Sequence, residues 1–103
     1  MPKRVLLSAS DLKDALKKIR DWKIIRGKLH REFQFDSFVE AFGFMTSVAI
    51  EAQAMNHHPE WFNVYGKVTV DLVTHDLDGI STFDVILAEK MNRLYRKPKG
   101  MSQ

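Results

Sequence analysis

Apolar residues recur along this chain with two periods, one typical of helices and one typical of strands. A spacing of three and four residues predicts helices, whereas alternation over short runs rich in β-branched and aromatic residues predicts strands. The predicted helices span 10–20, 37–55 and 82–96, and the predicted strands span 22–25, 29–35, 63–65 and 67–75. The order α-β-β-α-β-β-α therefore predicts an α+β fold, in which helices cover one face of a four-stranded antiparallel sheet.

The segment 37–55 has the strongest helix pattern. Ser37 followed three residues later by Glu40 forms a capping box, and Asn56 suits the left-handed conformation that ends many helices. The predicted inward stripe consists of Phe38, Phe42, Met45, Ala49 and Ala52. Further apolar residues widen this surface, namely Val39, Val48, Ile50 and Met55. The surplus indicates either a subunit interface or a thick core.

A last helix is predicted to begin after the capping residue Ser81 and to end before Pro98 and Gly100. Its predicted inward residues are Phe83, Ile86, Leu87, Met91, Leu94 and Tyr95. This helix would cover the sheet beside the segment 37–55.

Two short β-prone runs on either side of Gly66 predict a hairpin. With the turn centred on Tyr65 and Gly66, Val64 lies opposite Lys67, and each step outward pairs residues whose numbers sum to 131. Pro59 has no N–H to donate, so the regular ladder is expected to stop before it.

The same register, continued outward, brings three of the four histidines together. His57 would lie opposite Thr74, and Asn56 would lie opposite His75. Because His58 is the neighbour of His57, we expect all three imidazoles to surround one small space.

Composition restricts the class of protein. The chain has 103 residues, of which 45% are apolar, enough for one domain spanning 1–103 with a packed core. It has no cysteine, which excludes disulfides and thiolate sites. No apolar run approaches the roughly 20 residues of a membrane helix, and the first residues lack the apolar segment of a secretory signal. We therefore expect a cytoplasmic protein without membrane association.

Charge is segregated along the chain. Residues 1–31 hold ten Lys and Arg against three acids, residues 32–89 hold one Lys against ten acids, and residues 90–103 hold five bases and no acid. Basic ends can track a phosphate backbone. Solvated helix faces and a loose tail are the simpler explanation, so binding to nucleic acid is not favoured.

Three converging histidines fit two chemistries. As neutral imidazoles they could hold a zinc ion, but neighbours such as His57 and His58 tend to diverge, and no His-x-His spacing is present. As proton donors and acceptors they would work near neutrality, because the reference pKa of imidazole is about 6.5. Proton transfer is therefore favoured and no metal is expected. The remaining histidine, His30, is expected to be structural.

Two further features flank this region. Trp61, Phe62 and Tyr65 could form an apolar wall for a flat heterocycle, or they could fill the core under the hairpin. Asp84 could bind a substrate or a histidine, or it could complete a capping box with Ser81. The pattern leaves both pairs of alternatives open.

Several stretches resemble the pterin-4a-carbinolamine dehydratase family. They are Phe42-Gly43-Phe44-Met45, the nine residues His57-His58-Pro59-Glu60-Trp61-Phe62-Asn63-Val64-Tyr65, then Thr74-His75-Asp76, and Asp84 with Leu87-Ala88. The resemblance covers about residues 8 to 95. In animals the family member also serves as a dimerisation cofactor of a homeodomain transcription factor.

The resemblance implies a reaction. The substrate would be a tetrahydropterin with a hydroxyl on ring carbon 4a, made when aromatic amino acid hydroxylases use their pterin cofactor. Elimination of water would give quinonoid dihydropterin, with no metal or organic cofactor. Family members form dimers and tetramers, which agrees with the apolar surplus on 37–55.

The resemblance also implies roles for single residues. His57 and His75 match the acid/base histidines of the family, and His58 matches one that mainly binds substrate. The residues implied to line the pocket are Asn56, Pro59, Thr74 and Asp76. Asn56 stands where the animal enzyme has an acid, and Asp76 replaces a glutamate. Two other hypotheses stay open, a protein-binding module that stabilises a partner's helical dimer and a nucleic-acid-binding protein.

Overall fold

The computed structural model of the chain describes residues 3–95. Its helices and strands are α1 (Ala9–Leu16), β1 (Lys23–Ile25), β2 (Lys28–Gln34), α2 (Phe38–Met55), β3 (Glu60–Val64), β4 (Lys67–Leu72) and α3 (Thr82–Leu94). A short 3-10 helix, His75–Leu77, lies between β4 and α3. The predicted α+β class and element order are confirmed. Residue 96, Pro98 and Gly100, which were expected to mark the end of the last helix, lie outside the described residues.

The four strands form one antiparallel sheet in the order β1-β2-β4-β3. The β3–β4 hairpin has the predicted register, with Val64 opposite Lys67 and Glu60 opposite Asp71. The ladder begins at Glu60, directly after Pro59, as the missing N–H requires. The order of the strands therefore places the hairpin end that carries the histidines at one edge of the sheet.

One face of the sheet is covered by helices α2 and α3. The fully buried sheet residues on that face are Leu29, Phe33, Val68, Val70 and Leu72. From the helices, Phe44 packs on Phe33 with ring centroids 4.7 Å apart, while Val48, Leu87 and Met91 are buried completely. Each such side chain contributes roughly 1.5–3 kcal/mol through burial. This core holds the end of α2 and the start of α3 against the end of β4.

The predicted inward stripe of α2 is wrong for most of its members. The residues that face the core are Ala41, Phe44, Val48, Ala52 and Met55. Of the predicted set, Phe38, Phe42 and Ala49 are exposed and Met45 is half-buried. The cause is that α2 is apolar on nearly its whole circumference, so steps of three and four fit more than one stripe. On α3, Leu94 is likewise exposed rather than inward.

Helix ends agree with the capping pattern. Ser37 Oγ accepts a hydrogen bond from the Glu40 N–H at 3.1 Å, and Asn56 ends α2 in the left-handed conformation with φ 52°. At the start of α3, Ser81 and Asp84 form a complete capping box. Two of these ends, Asn56 after α2 and Ser81 before α3, lie beside the histidine region.

A close backbone approach at Gly66 should make that glycine hard to replace. The Phe35 N–H donates to the Gly66 carbonyl at 2.7 Å, and a Cβ on Gly66 would overlap the Phe35 carbonyl oxygen. We expect Gly66→Ala to lower the free energy of unfolding by about 1–3 kcal/mol in urea denaturation. Gly43→Ala is the matched control, since a Cβ there meets nothing within 4 Å. The control should raise the same quantity by up to about 1 kcal/mol, because alanine favours helix. Equal stability of the two variants would contradict the packing described.

Candidate active site

The end of α2 presents the first two histidines. Asn56 reverses the chain, and the His57 N–H donates to the Ala52 carbonyl at 3.0 Å, which fixes the backbone of the loop. His57 is then buried, whereas His58 is exposed and its Nε2 lies 2.9 Å from Gln53 Oε1 on the last turn of α2. The adjacent imidazoles therefore occupy different environments.

The end of β4 presents the third histidine. The Thr74 N–H donates to the Gly79 carbonyl at 2.8 Å, which closes the turn, and His75 opens the short 3-10 helix. Thr74 is buried beneath the turn and His75 is exposed above it.

The two chain segments enclose an open cavity of about 220 Å³. The lining residues are Arg4, Asn56, His57, His58, Val73, Thr74, His75 and Asp76. The structure thus brings His57, His58 and His75 around one space, together with three of the other residues singled out from the sequence. That space opens to solvent between the α2 end and the β4 end.

A buried carboxylate lies behind His57. His57 Nε2 is 2.6 Å from Asp84 Oδ1, and the Thr74 hydroxyl and the Ser81 N–H each donate to Asp84 Oδ2 at 2.8 Å. Asp84 is completely buried and does not line the cavity, so it contacts a histidine and caps α3 at the same time. Asp84 is therefore not positioned to contact a ligand in the cavity directly.

His75 is held by a second carboxylate, that of Glu60. His75 Nε2 lies 2.9 Å from Glu60 Oε2, and the Lys28 ammonium donates to Glu60 Oε1 at 2.6 Å. The Lys28 hydrogen bond holds the pKa of Glu60 below its ordinary value, against the opposing effect of partial burial, and His75 adds to the lowering. Glu60 is therefore ionised at neutral pH beside His75. The sequence patterns did not single out Glu60 or Lys28 for this contact.

Two residues singled out from the sequence, Pro59 and Trp61, do not line the cavity. Trp61 lies opposite Val70 on β4, on the helix-covered face, and packs against the core. Phe62 and Tyr65 are about two-thirds exposed. An aromatic wall around the cavity is therefore absent in the described part of the chain, because strand alternation directs Trp61 away from it.

His30 lies on the outer face of the sheet, where its Nδ1 is 2.8 Å from Asp71 Oδ1. It does not line the cavity, which agrees with the structural role expected for it. It is therefore a useful internal control for the other three histidines.

Sequence reasoning missed Arg4, which lines the cavity from the N-terminal segment. Residues 1–7 carry no periodic pattern of apolar residues, so the sequence predicts no helix or strand there. Arg4 reaches the cavity only because residues 3–7 hydrogen-bond to residues that lie 73 to 79 positions away along the chain. No local signal marks such a contact.

Over residues 3–95, no group of three or more His, Cys, Asp or Glu side chains is arranged to hold a metal ion. In the same range, no helix has the length and apolar character needed to span a membrane.

Comparisons with known proteins identify a family for this small α+β domain. The family model described as pterin 4 alpha carbinolamine dehydratase matches residues 5–94. The chain belongs to this family.

Relatives and a solved structure agree with that assignment. A Solibacter usitatus protein named "Putative pterin-4-alpha-carbinolamine dehydratase" is 53% identical over 88 residues, covering 85% of this chain and 93% of its own length. A Prochlorococcus marinus protein of the same name is 52% identical over 89 residues, covering 86% and 93%. A crystal structure of a "transcriptional coactivator/pterin dehydratase" from Brucella melitensis superposes with a TM-score of 0.85 at 39% identity, covering 88% of this chain and 99% of the other.

The contacts of Asp84 should make it important for stability. Asp84→Ala leaves the buried Ser81 N–H and Thr74 hydroxyl without their acceptor, and it leaves His57 Nε2 without its partner. We expect the free energy of unfolding to fall by about 3 kcal/mol in urea denaturation. Asp14→Ala, at a side chain that is 71% exposed, should change it by less than about 0.5 kcal/mol. A loss at position 84 no larger than that at position 14 would contradict the described network.

Proposed function

We propose that this chain is a dehydratase that eliminates water from a 4a-hydroxytetrahydropterin and releases quinonoid dihydropterin. In that role it would recycle the pterin cofactor of aromatic amino acid hydroxylases. The observation that carries the proposal is the convergence of His57, His58 and His75 on one open cavity, in a member of this family.

The reaction needs two proton transfers. The hydroxyl on carbon 4a leaves readily only when its oxygen gains a proton, and the neighbouring ring nitrogen must lose one. No electron is gained or lost overall, so imidazoles suffice and no metal or organic cofactor is assigned. Their reference pKa of about 6.5 allows both donation and acceptance near neutrality.

His57 and His75 are assigned the acid and base roles. In both, Nε2 faces a carboxylate, Asp84 in one case and Glu60 in the other. A carboxylate partner orients an imidazole, and it stabilises the cation that forms when the ring takes a proton. With Nε2 engaged, Nδ1 is the nitrogen left to exchange a proton with substrate. Because either histidine can act as the acid, both stereoisomers at carbon 4a could be processed.

His58, Asn56, Thr74 and Asp76 are assigned to substrate binding. His58 is exposed at the rim and is anchored by Gln53 rather than by a carboxylate. Asn56, Thr74 and Asp76 line the same cavity. Pro59, Trp61 and Asp84 support the site from outside the cavity, Pro59 by ending the β3 ladder, Trp61 through the core and Asp84 through His57.

Removal of the two acid/base histidines tests the proposal. Stopped-flow assays with chemically generated 4a-hydroxytetrahydropterin should show kcat reduced by about 10²- to 10⁴-fold in His57→Ala and in His75→Ala. The double variant should approach the uncatalysed rate. If the double variant dehydrates the substrate at the wild-type rate, the assignment is wrong.

His30→Ala is the matched control, because this histidine contacts a carboxylate but lies on the outer face of the sheet. It should retain the wild-type kcat. Circular dichroism of each variant separates loss of chemistry from loss of fold.

We further propose that the chain forms a homodimer or homotetramer through the exposed side of α2. Phe38 and Phe42 form an aromatic pair there, with ring centroids 5.7 Å apart, and each is about half exposed. Val39 and Ile50 on the same helix are more than 60% exposed. Several large apolar side chains exposed on one helix indicate an interaction site.

Charge placed on that surface should dissociate the assembly. Phe42→Glu is expected to give monomers in sedimentation velocity at concentrations where wild type is oligomeric, because an unpaired buried carboxylate is costly. Leu94→Glu, at a partly exposed apolar residue on α3, is the control and should leave the assembly intact. A monomeric wild type would contradict this assignment directly.

A second candidate function is a dimerisation cofactor for a transcription regulator. It is favoured by the exposed apolar side of α2 and by the description of the Brucella melitensis structure as a transcriptional coactivator. Light scattering that measures the mass of the assembly, with and without a candidate partner helix, distinguishes this function from that of a homo-oligomeric enzyme. Subunit exchange with that helix would support the cofactor function, and a homotetramer that never exchanges would argue against it.

A further inference from the structure

The N-terminal segment, residues 3–7, is hydrogen-bonded across the start of α3. The Leu7 N–H donates to the Ile80 carbonyl at 3.0 Å, and the Thr82 N–H donates to the Val5 carbonyl at 2.9 Å. The Thr82 hydroxyl donates to the Lys3 carbonyl at 2.6 Å. These bonds place residue 4, between Lys3 and Val5, at the edge of the cavity.

Arg4 is held there on three sides. Its Nη2 donates to the Asn56 carbonyl at 3.3 Å, its Nη1 lies 3.8 Å from Asp76 Oδ2, and its guanidinium carbon is 5.0 Å from the centre of the Phe83 ring. The side chain is only 31% exposed. The guanidinium is thus a positioned cation on the cavity wall.

The donors of Arg4 are incompletely used. Its Nε–H is buried and has no hydrogen-bond partner among the described residues. The contact with Asp76 is long, and the side chain of Asp76 is 84% exposed, so that pair is weak. The two Nη atoms carry four N–H bonds, and the contacts with Asn56 and Asp76 use at most two of them. The five-donor guanidinium can therefore offer hydrogen bonds to a ligand while it keeps its contact with Asn56.

We propose that Arg4 is a substrate-binding residue that donates to the C4 carbonyl oxygen of the pterin ring and so selects 4-oxo over 4-amino pteridines. This inference rests on the proposed function. His57 and His75 act at carbon 4a and its neighbouring nitrogen, and the C4 carbonyl is attached directly to carbon 4a. A donor on the wall of the same cavity is therefore well placed for that oxygen.

A ligand with an amino group at C4 presents a donor to Arg4 instead of an acceptor, and two donors cannot pair. The C4 oxygen carries nearly the same charge in substrate and product. The interaction should therefore act on binding more than on the chemical step, raising KM with little change in kcat when it is lost.

The test is calorimetric titration with pterin and with 2,4-diaminopteridine at neutral pH, where both rings are uncharged. Wild type should bind pterin more tightly. Arg4→Met, which removes the charge and all donors, should weaken pterin binding about tenfold, the effect of losing one charge-assisted hydrogen bond, and leave 2,4-diaminopteridine nearly unaffected. Arg4→Lys should recover part of the loss. In the dehydratase assay, Arg4→Met should raise KM by a similar factor, with kcat within about twofold of wild type.

Lys3→Met is the control, because it removes one positive charge from an exposed neighbour on the same segment. It should bind both ligands as wild type does. Selective loss in Arg4→Met supports the inference. Equal weakening for the two ligands, or a lower unfolding temperature with unchanged binding, overturns it and leaves Arg4 a structural residue. Wild type that binds neither ring and has no dehydratase activity would instead overturn the proposed function.

Discussion

One buried carboxylate, Asp84, joins the start of α3 to the two segments that enclose the cavity. It accepts from the Ser81 N–H at the start of α3, from the Thr74 hydroxyl at the end of β4, and it contacts His57 after α2. A buried charge is tolerated only when it is paired and hydrogen-bonded, and the N-terminus of α3 adds a favourable dipole. The same contacts that make Asp84 acceptable in the interior therefore determine where His57 lies. Stability and site geometry share one interaction in this chain.

Charged groups are distributed unequally around the cavity wall. Two imidazoles are backed by carboxylates, one buried and one near the surface, while Arg4 contributes a cation from a distant part of the chain. His57 is shielded and His75 is open to solvent, so the two imidazoles that we propose for proton transfer lie in different environments. Such an arrangement suits a reaction in which one proton is delivered to a leaving oxygen and another is removed from the ring.

The sequence predicted what depends on local spacing and failed where the answer depends on tertiary contacts. The hairpin register could be predicted because Gly66 and the strand alternation determine it, and this register brought His57 and His75 together. The inward face of α2 could not be predicted in this way. The helix is apolar on almost every side, so packing against the sheet determines which side is buried. Arg4 was missed for a related reason, since its place depends on pairing with residues near 80.

The central claim is that a pterin occupies the space between the three clustered histidines, and nitrogen NMR of the imidazole rings tests it most directly. The chain has four histidines, so ¹⁵N-histidine labelling gives a small set of ring signals. On titration with a dihydropterin, the signals of His57, His58 and His75 should shift together with one saturation curve, while His30 should stay in place. Unchanged signals from the clustered three, or a shift confined to His30, would contradict the account.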